Sequence, residues 1–205
     1  MWYIVYMRDR QLKILNIDGV RGVGKSTQLN ILANLLKRHG RDVKINQIMD
    51  REGLTEAIKN TIESIQENDN AIILNDGSIA SFAIQELSKG TSNLSVESIY
   101  GDDLFDLQTL NHSVGMVNVI LVPESLEYCK ENIKRQRRLQ GIEFIDNIDP
   151  VMQSTLIDGF DNFNNNVISR ELAFKVLPVD SDDSILKIHY NILDAIESKG
   201  FYLGH

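Results

Sequence analysis

Eight consecutive residues hold the densest chemistry in this sequence. Gly19-Val20-Arg21-Gly22-Val23-Gly24-Lys25-Ser26 matches G-x-x-x-x-G-K-[ST] without a mismatch. Glycines at that spacing let the backbone wrap closely around a polyphosphate, with successive N–H groups turned inward as an anion nest. The helix that follows aims its positive end at the same charge. Lys25 is placed to reach the β- and γ-phosphates of a nucleotide, and the Ser26 hydroxyl to bind Mg²⁺. The candidate nucleotide-binding residues are therefore Gly19, Gly22, Val23, Gly24, Lys25, Ser26 and Thr27.

Such a loop needs a strand before it and a helix after it. Leu12 to Ile17 is an apolar run of strand length, and Leu29, Leu32, Ala33 and Leu36 recur at helical spacing up to a glycine stop at Gly40. Val43 to Ile48 reads as a second strand and Leu54 to Ile65 as a second helix. Ala71 to Leu74 is a third strand that runs into Asn75-Asp76-Gly77. Val117 to Val122 is a fourth, ended by Pro123 and followed by an amphipathic helix. Leu156, Phe160, Phe163 and Val167 form another helical stripe, and Phe174 to Val179 reads as the last strand. Ile185, Ile188, Ile192 and Ile196 give a closing helix, introduced by Ser181-Asp182-Asp183. Gly90 to Asp103 reads as loop, and Trp2 to Met7 as either a strand or an arm. Short apolar strands alternating with helices predict a parallel sheet covered on both faces, with ligands beyond the strands' carboxyl ends. That rule singles out residues 18–26, 49–53, 75–81 and 122–124. Asp76, an acid at the end of an apolar strand, faces the phosphate loop in such an arrangement.

Composition sets the outer bounds. The 205 residues are 42% hydrophobic and 24% charged with three prolines, which predicts one globular unit over 1–205 and excludes long disorder. No apolar run approaches the roughly 20 residues of a membrane span, and Trp2 to Met7 is too short for a secretory signal. The single cysteine, Cys129, has no partner for an internal disulfide, so a reducing, cytoplasmic setting is expected. Cys129 itself falls on an apolar helix face and reads as core, and none of the four histidines has ligand or catalytic spacing. A net charge of −8 argues against a broad grip on nucleic acid, but one cluster of donors binds phosphate whatever the rest of the surface carries.

With these residues in view, the chain resembles the thymidylate kinases. Asp18-Gly19-Val20-Arg21-Gly22-Val23-Gly24-Lys25-Ser26-Thr27-Gln28 is similar to the family's E-G-x-[DE]-x-x-G-K-[ST]-T-Q. Asp50-Arg51-Glu52-Gly53 resembles its T-R-E-P-G segment, and Asn75-Asp76-Gly77-Ser78 followed by Ser81-Phe82-Ala83-Ile84-Gln85 resembles its D-R-[YH] and S-x-A-Y-Q. The likeness runs over about residues 12–197. It implies a P-loop kinase fold, three-layer α/β/α, with a five-stranded, mainly parallel sheet and a short lid at about 136–148. It implies ATP and Mg²⁺ as donor and a deoxynucleoside monophosphate, a small-molecule nucleotide, as acceptor, and it suggests a homodimer. Asp76 would stand with Ser26 beside the metal and the acceptor phosphate, and Arg51 would lie on the acceptor side. Arg135, Arg137 and Arg138 lie where the family keeps arginines for the donor phosphates and base, and Asp180 falls in the closing nucleotide-binding loop.

The departures from the family pattern gather on the acceptor half. The family's loop carboxylate is replaced by Arg21, the arginine of its D-R pair by Gly77, and the proline of T-R-E-P-G by Gly53. Between Arg51 and Asp76 there is room to finish one helix, without the further helix that holds thymine in the family. Gly141-Ile142-Glu143-Phe144 lacks the family's lid arginine, and Arg21 is a candidate replacement for the charge lost at Gly77. Three readings follow: a kinase whose acceptor is not plain dTMP; a catalytically weak or inactive nucleotide-binding protein with a regulatory or assembly role; and a kinase acting on a nucleotide within DNA, against which the acidic balance counts.

Overall fold

Strand β1 (Arg10–Gly19) is buried at every position from Leu12 onward. Continuous burial is what a central strand of a parallel sheet needs when both faces are covered. The computed structural model describes residues 10–48, 51–68, 70–78, 115–141, 154–159, 175–180 and 183–202. Helix α1 (Lys25–Arg38) follows β1, then β2 (Asp42–Gln47), α2 (Arg51–Glu67) and β3 (Ala71–Asp76). The second half contains β4 (Gly115–Pro123), α3 (Leu126–Leu139), a short α4 (154–159), β5 (Lys175–Val179) and α5 (Ile185–Glu197). The strands lie in the order β2-β3-β1-β4-β5, every pair parallel. Strands β3 and β4 are buried like β1, whereas the edge strands β2 and β5 keep exposed positions. This is the five-stranded parallel α/β fold expected from the sequence. A two-residue strand, β6 (Phe201–Tyr202), adds to it by pairing with Arg10 and Gln11, and is too short to leave a sequence pattern. Trp2 to Met7, Gly90 to Asp103 and the stripe from Phe160 to Val167 lie outside the described residues.

Helix ends follow local chemistry. Gly40, at φ +76, donates to the Lys37 carbonyl while Arg41 donates to Leu36, the paired bonds of a Schellman stop. Leu29, Leu32, Ala33 and Leu36 turn into the core as the helical spacing requires. The start of α5 differs from expectation. Its cap is Ser184, whose hydroxyl accepts from the Lys187 N–H at 3.1 Å. Asp183 instead accepts from the Asp180 N–H and pairs with Lys187, which holds its carboxyl below the usual range. Helix α3 runs unbroken to Leu139, so the first four residues assigned to a lid are helical, and those from Ile142 on lie outside the described residues.

Four asparagines pin the register of the sheet. Asn46 of β2 donates to Asn75 of β3 at 3.0 Å, Asn75 donates to Asn16 of β1 at 2.6 Å, and Asn16 donates to Asn118 of β4 at 2.6 Å. All four are direct register partners across neighbouring strands. A buried amide left without a partner costs about 1–3 kcal/mol, and a one-residue slip would break the row while reversing every side chain. Two residues back along β2, and so on the same face, Lys44 donates to Ser64 of α2 at 2.8 Å.

On α1, Gln28 is 1% exposed and ties the helix to α5. Its Nε2 donates to the Ile185 carbonyl at 2.9 Å, which turns Oε1 to the His189 ring, 3.3 Å from Nδ1. The neutral ring therefore carries its proton on Nδ1. Burial lowers the His189 pKa. The folded state resists protonation that the unfolded chain accepts, so stability is full above about pH 6.5 and is lost as pH falls further, by at most about 1.4 kcal/mol per unit. The melting temperature should fall between pH 7.5 and 5.5, and His189→Gln should flatten that fall; thermal unfolding at both pH values checks it.

Candidate functional site

Register brings the site together. Ile17 of β1 lies directly opposite Asp76 of β3, one residue past the Asn16–Asn75 pair. The ladder continues beyond the strands, with Gly77 donating to the Ile17 carbonyl at 2.9 Å and Ile48 to the Asp76 carbonyl at 3.0 Å. Asp76 is thereby carried to the mouth of the loop, where its Oδ2 accepts from the Ser26 hydroxyl at 2.5 Å. The two residues are fifty positions apart, and the sequence analysis had assigned both to the same metal. A hydroxyl and a carboxylate are hard oxygen donors of the kind Mg²⁺ takes alongside phosphate oxygens and water.

Lys25 sits half-buried in the loop, its ammonium donating to the carbonyls of Gly19 at 2.8 Å and Val20 at 3.2 Å. Burial pushes its pKa below the usual lysine range, opposed by the charges of Asp76 and then Asp18. The helix behind it opens in an unusual way. Helices α3 and α5 begin under serine caps, whereas α1 begins at Gly24, at φ +107, with no side-chain cap and no acid in its first turn. Its first N–H groups, from Lys25, Ser26 and Thr27, are thus left without a side-chain cap.

The glycines seat the loop on β4 and α3. A Cβ at Gly19, at φ +137, would collide with the Leu121 carbonyl, and one at Gly22, at φ +89, would stand 2.6 Å from the Cys129 carbonyl. Asn132, one turn further along α3, donates to the Gly22 carbonyl at 3.1 Å. The Val23 N–H is turned toward the Val20 carbonyl at 3.4 Å, and its side chain is buried. Cys129 is core, as expected; burial raises its thiol to about 12, so it is not a nucleophile.

Sequence reasoning gave no role to Asp18, which is fully buried. Its carboxylate accepts from the Ser78 N–H at 2.8 Å and from the Ser78 hydroxyl, fastening the start of the loop to the turn after Asp76. An acid closing an apolar strand was the available signal. Arg21 is exposed on the loop, Arg135 and Arg138 are exposed near the end of α3, and Arg137 is half-buried there. Arg51 opens α2, with its side chain outside the described residues. Asp180 is exposed just past β5, next to the bond from the Glu124 N–H to the Val179 carbonyl.

Gly77 explains one departure in the acceptor half. It is buried at φ +95, and a Cβ there would stand 2.7 Å from the Ile48 carbonyl. Position 77 therefore has no room for an arginine on this backbone, and Arg21 cannot simply exchange places with it. Gly77→Ala should lower stability by about 1–3 kcal/mol, and Gly77→Arg by no less, as measured from urea unfolding midpoints.

The fold has a known counterpart. The thymidylate kinase of Candida albicans, reported with a broad substrate specificity, superposes with a TM-score of 0.54 at 18% identity, covering 92% of this chain and 92% of that one. No protein-family model matches the sequence, and no curated protein matches it. The chain thus has a thymidylate-kinase-like fold, a P-loop α/β architecture, with sequence agreement low enough that only the fold is carried across.

Proposed function

We propose that the protein is a nucleotide kinase that transfers the γ-phosphoryl group of ATP to a nucleoside monophosphate other than plain dTMP. The observation that carries this reading is the meeting of Ser26 and Asp76 at 2.5 Å beside the Lys25 ammonium, at the uncapped start of α1. In this reading the loop N–H groups and the α1 terminus hold the β- and γ-phosphates. An ammonium has three donors. Two of them rest on Gly19 and Val20, which would leave one to reach the phosphates. Ser26 and Asp76 would supply oxygen ligands for Mg²⁺, which when bound would neutralise charge on the phosphates. An acceptor phosphate oxygen forms the new bond to the γ-phosphorus as the bond to the β–γ bridging oxygen breaks, leaving ADP. Such transfers rest on positioning and charge neutralisation, which these residues provide without a protein nucleophile.

The acceptor is read from what the chain has changed. Gly77 leaves no arginine on the acceptor phosphate, Arg21 adds a cation at the loop, and α2 leads directly into β3 within a few residues. Such an acceptor site would lack features that the family shapes for thymine. The Candida albicans enzyme's broad specificity is consistent with acceptor choice varying on this fold.

The test is ADP release from Mg·ATP across ribo- and deoxyribonucleoside monophosphates, dTMP included, beside Lys25→Ala. Release that depends on one acceptor class and falls at least about 100-fold in Lys25→Ala is expected, given the size of comparable charge-stabilising contacts. ATP binding with no turnover on any acceptor would favour the catalytically inactive reading instead.

A further inference from the structure

The loop can bind phosphate only if its N–H groups point inward, and then its carbonyls must point out and find donors of their own. Gly22 is one residue where this orientation needs support. It has no Cβ to restrain it, lies at φ +89, and is followed by a peptide whose N–H makes only a long 3.4 Å contact to Val20. Rotation of the Gly22–Val23 peptide would swing a carbonyl dipole into the anion position. The Gly22 carbonyl is instead held outward by the Asn132 side-chain amide at 3.1 Å. The Cys129 backbone, three residues earlier on the same face of α3, closes against the Gly22 Cα.

We propose that Asn132 is a positioning residue of the phosphate loop: its amide locks the Gly22–Val23 peptide in the phosphate-binding orientation and fixes the loop on α3. The inference rests on the reading of the loop as a nucleoside triphosphate site. Asn132 touches no substrate in this account and acts only through Gly22. Because α3 also carries Arg135, Arg137 and Arg138, the same bond sets the loop against the helix that bears those arginines.

The experiment compares Mg·ATP affinity by calorimetry, and KM and kcat where turnover is found, for wild type, Asn132→Leu, Asn132→Gln and Lys25→Ala. Asn132→Leu keeps the side-chain size but has no donor. Its ATP affinity should fall about tenfold, the loss of one hydrogen bond, with the loss in KM rather than kcat. Asn132→Gln, which keeps an amide donor, should recover at least half of that loss on a logarithmic scale, and both variants should melt close to wild type. An Asn132→Leu affinity equal to wild type, or an equal loss in Asn132→Leu and Asn132→Gln, overturns the inference while leaving the phosphate-loop reading intact. Wild-type ATP binding no stronger than that of Lys25→Ala overturns both.

Discussion

The hydrogen bond between Asn75 and Asn16 sets where everything at the site falls. It joins β3 to β1 inside the sheet, one residue short of the level at which Ile17 faces Asp76. Through that register β3 delivers its terminal carboxylate to a loop that begins two residues further along β1, and Ser26 meets Asp76 across fifty residues of chain. Buried amides specify alignment better than apolar side chains do, because an aliphatic row slides with little penalty while an amide row has one satisfied register. The row extends to β2 and β4, so four strands end at fixed levels beneath the site.

The loop is then held from three sides by backbone contacts that only glycine permits. Gly19 closes on β4, Gly22 on α3, and Gly77 brings the turn after β3 against Ile48. Asp18 fastens the same turn to the start of the loop. The cost of this closeness is a half-buried lysine whose charge is disfavoured by desolvation and upheld by two carboxylates. In the proposed reading, a bound phosphate would add further negative charge beside Lys25, and its binding would stabilise the arrangement.

Much of this was legible in the sequence. Predominantly apolar runs from Leu12, Ala71 and Val117 mark the three buried strands, because strands buried on both faces lose their alternation. The motif at Gly19–Ser26 and the lone acid Asp76 marked the two halves of the cluster. Less legible were the contacts whose meaning depends on register. Asn16, Asn46, Asn75 and Asn118 are unremarkable polar residues until the strands pair, and Asn132 sits on a helix face that looks solvated in a list of charges. The missing arginine at Gly77 read as a lost function in sequence and is a backbone requirement in the fold. The cap of α5 was displaced to Ser184 because Asp183 is occupied by Lys187.

The central claim is that a polyphosphate, rather than a base or sugar, is what this loop recognises. Calorimetric titration of the intact protein with ATP, ADP and adenosine, each with Mg²⁺, tests it most directly. Saturable binding of ATP and ADP is predicted, with adenosine weaker by at least about 100-fold, since charge-assisted bonds to phosphate supply most of the affinity. Adenosine binding as tightly as ATP, or no heat with either nucleotide, would contradict it.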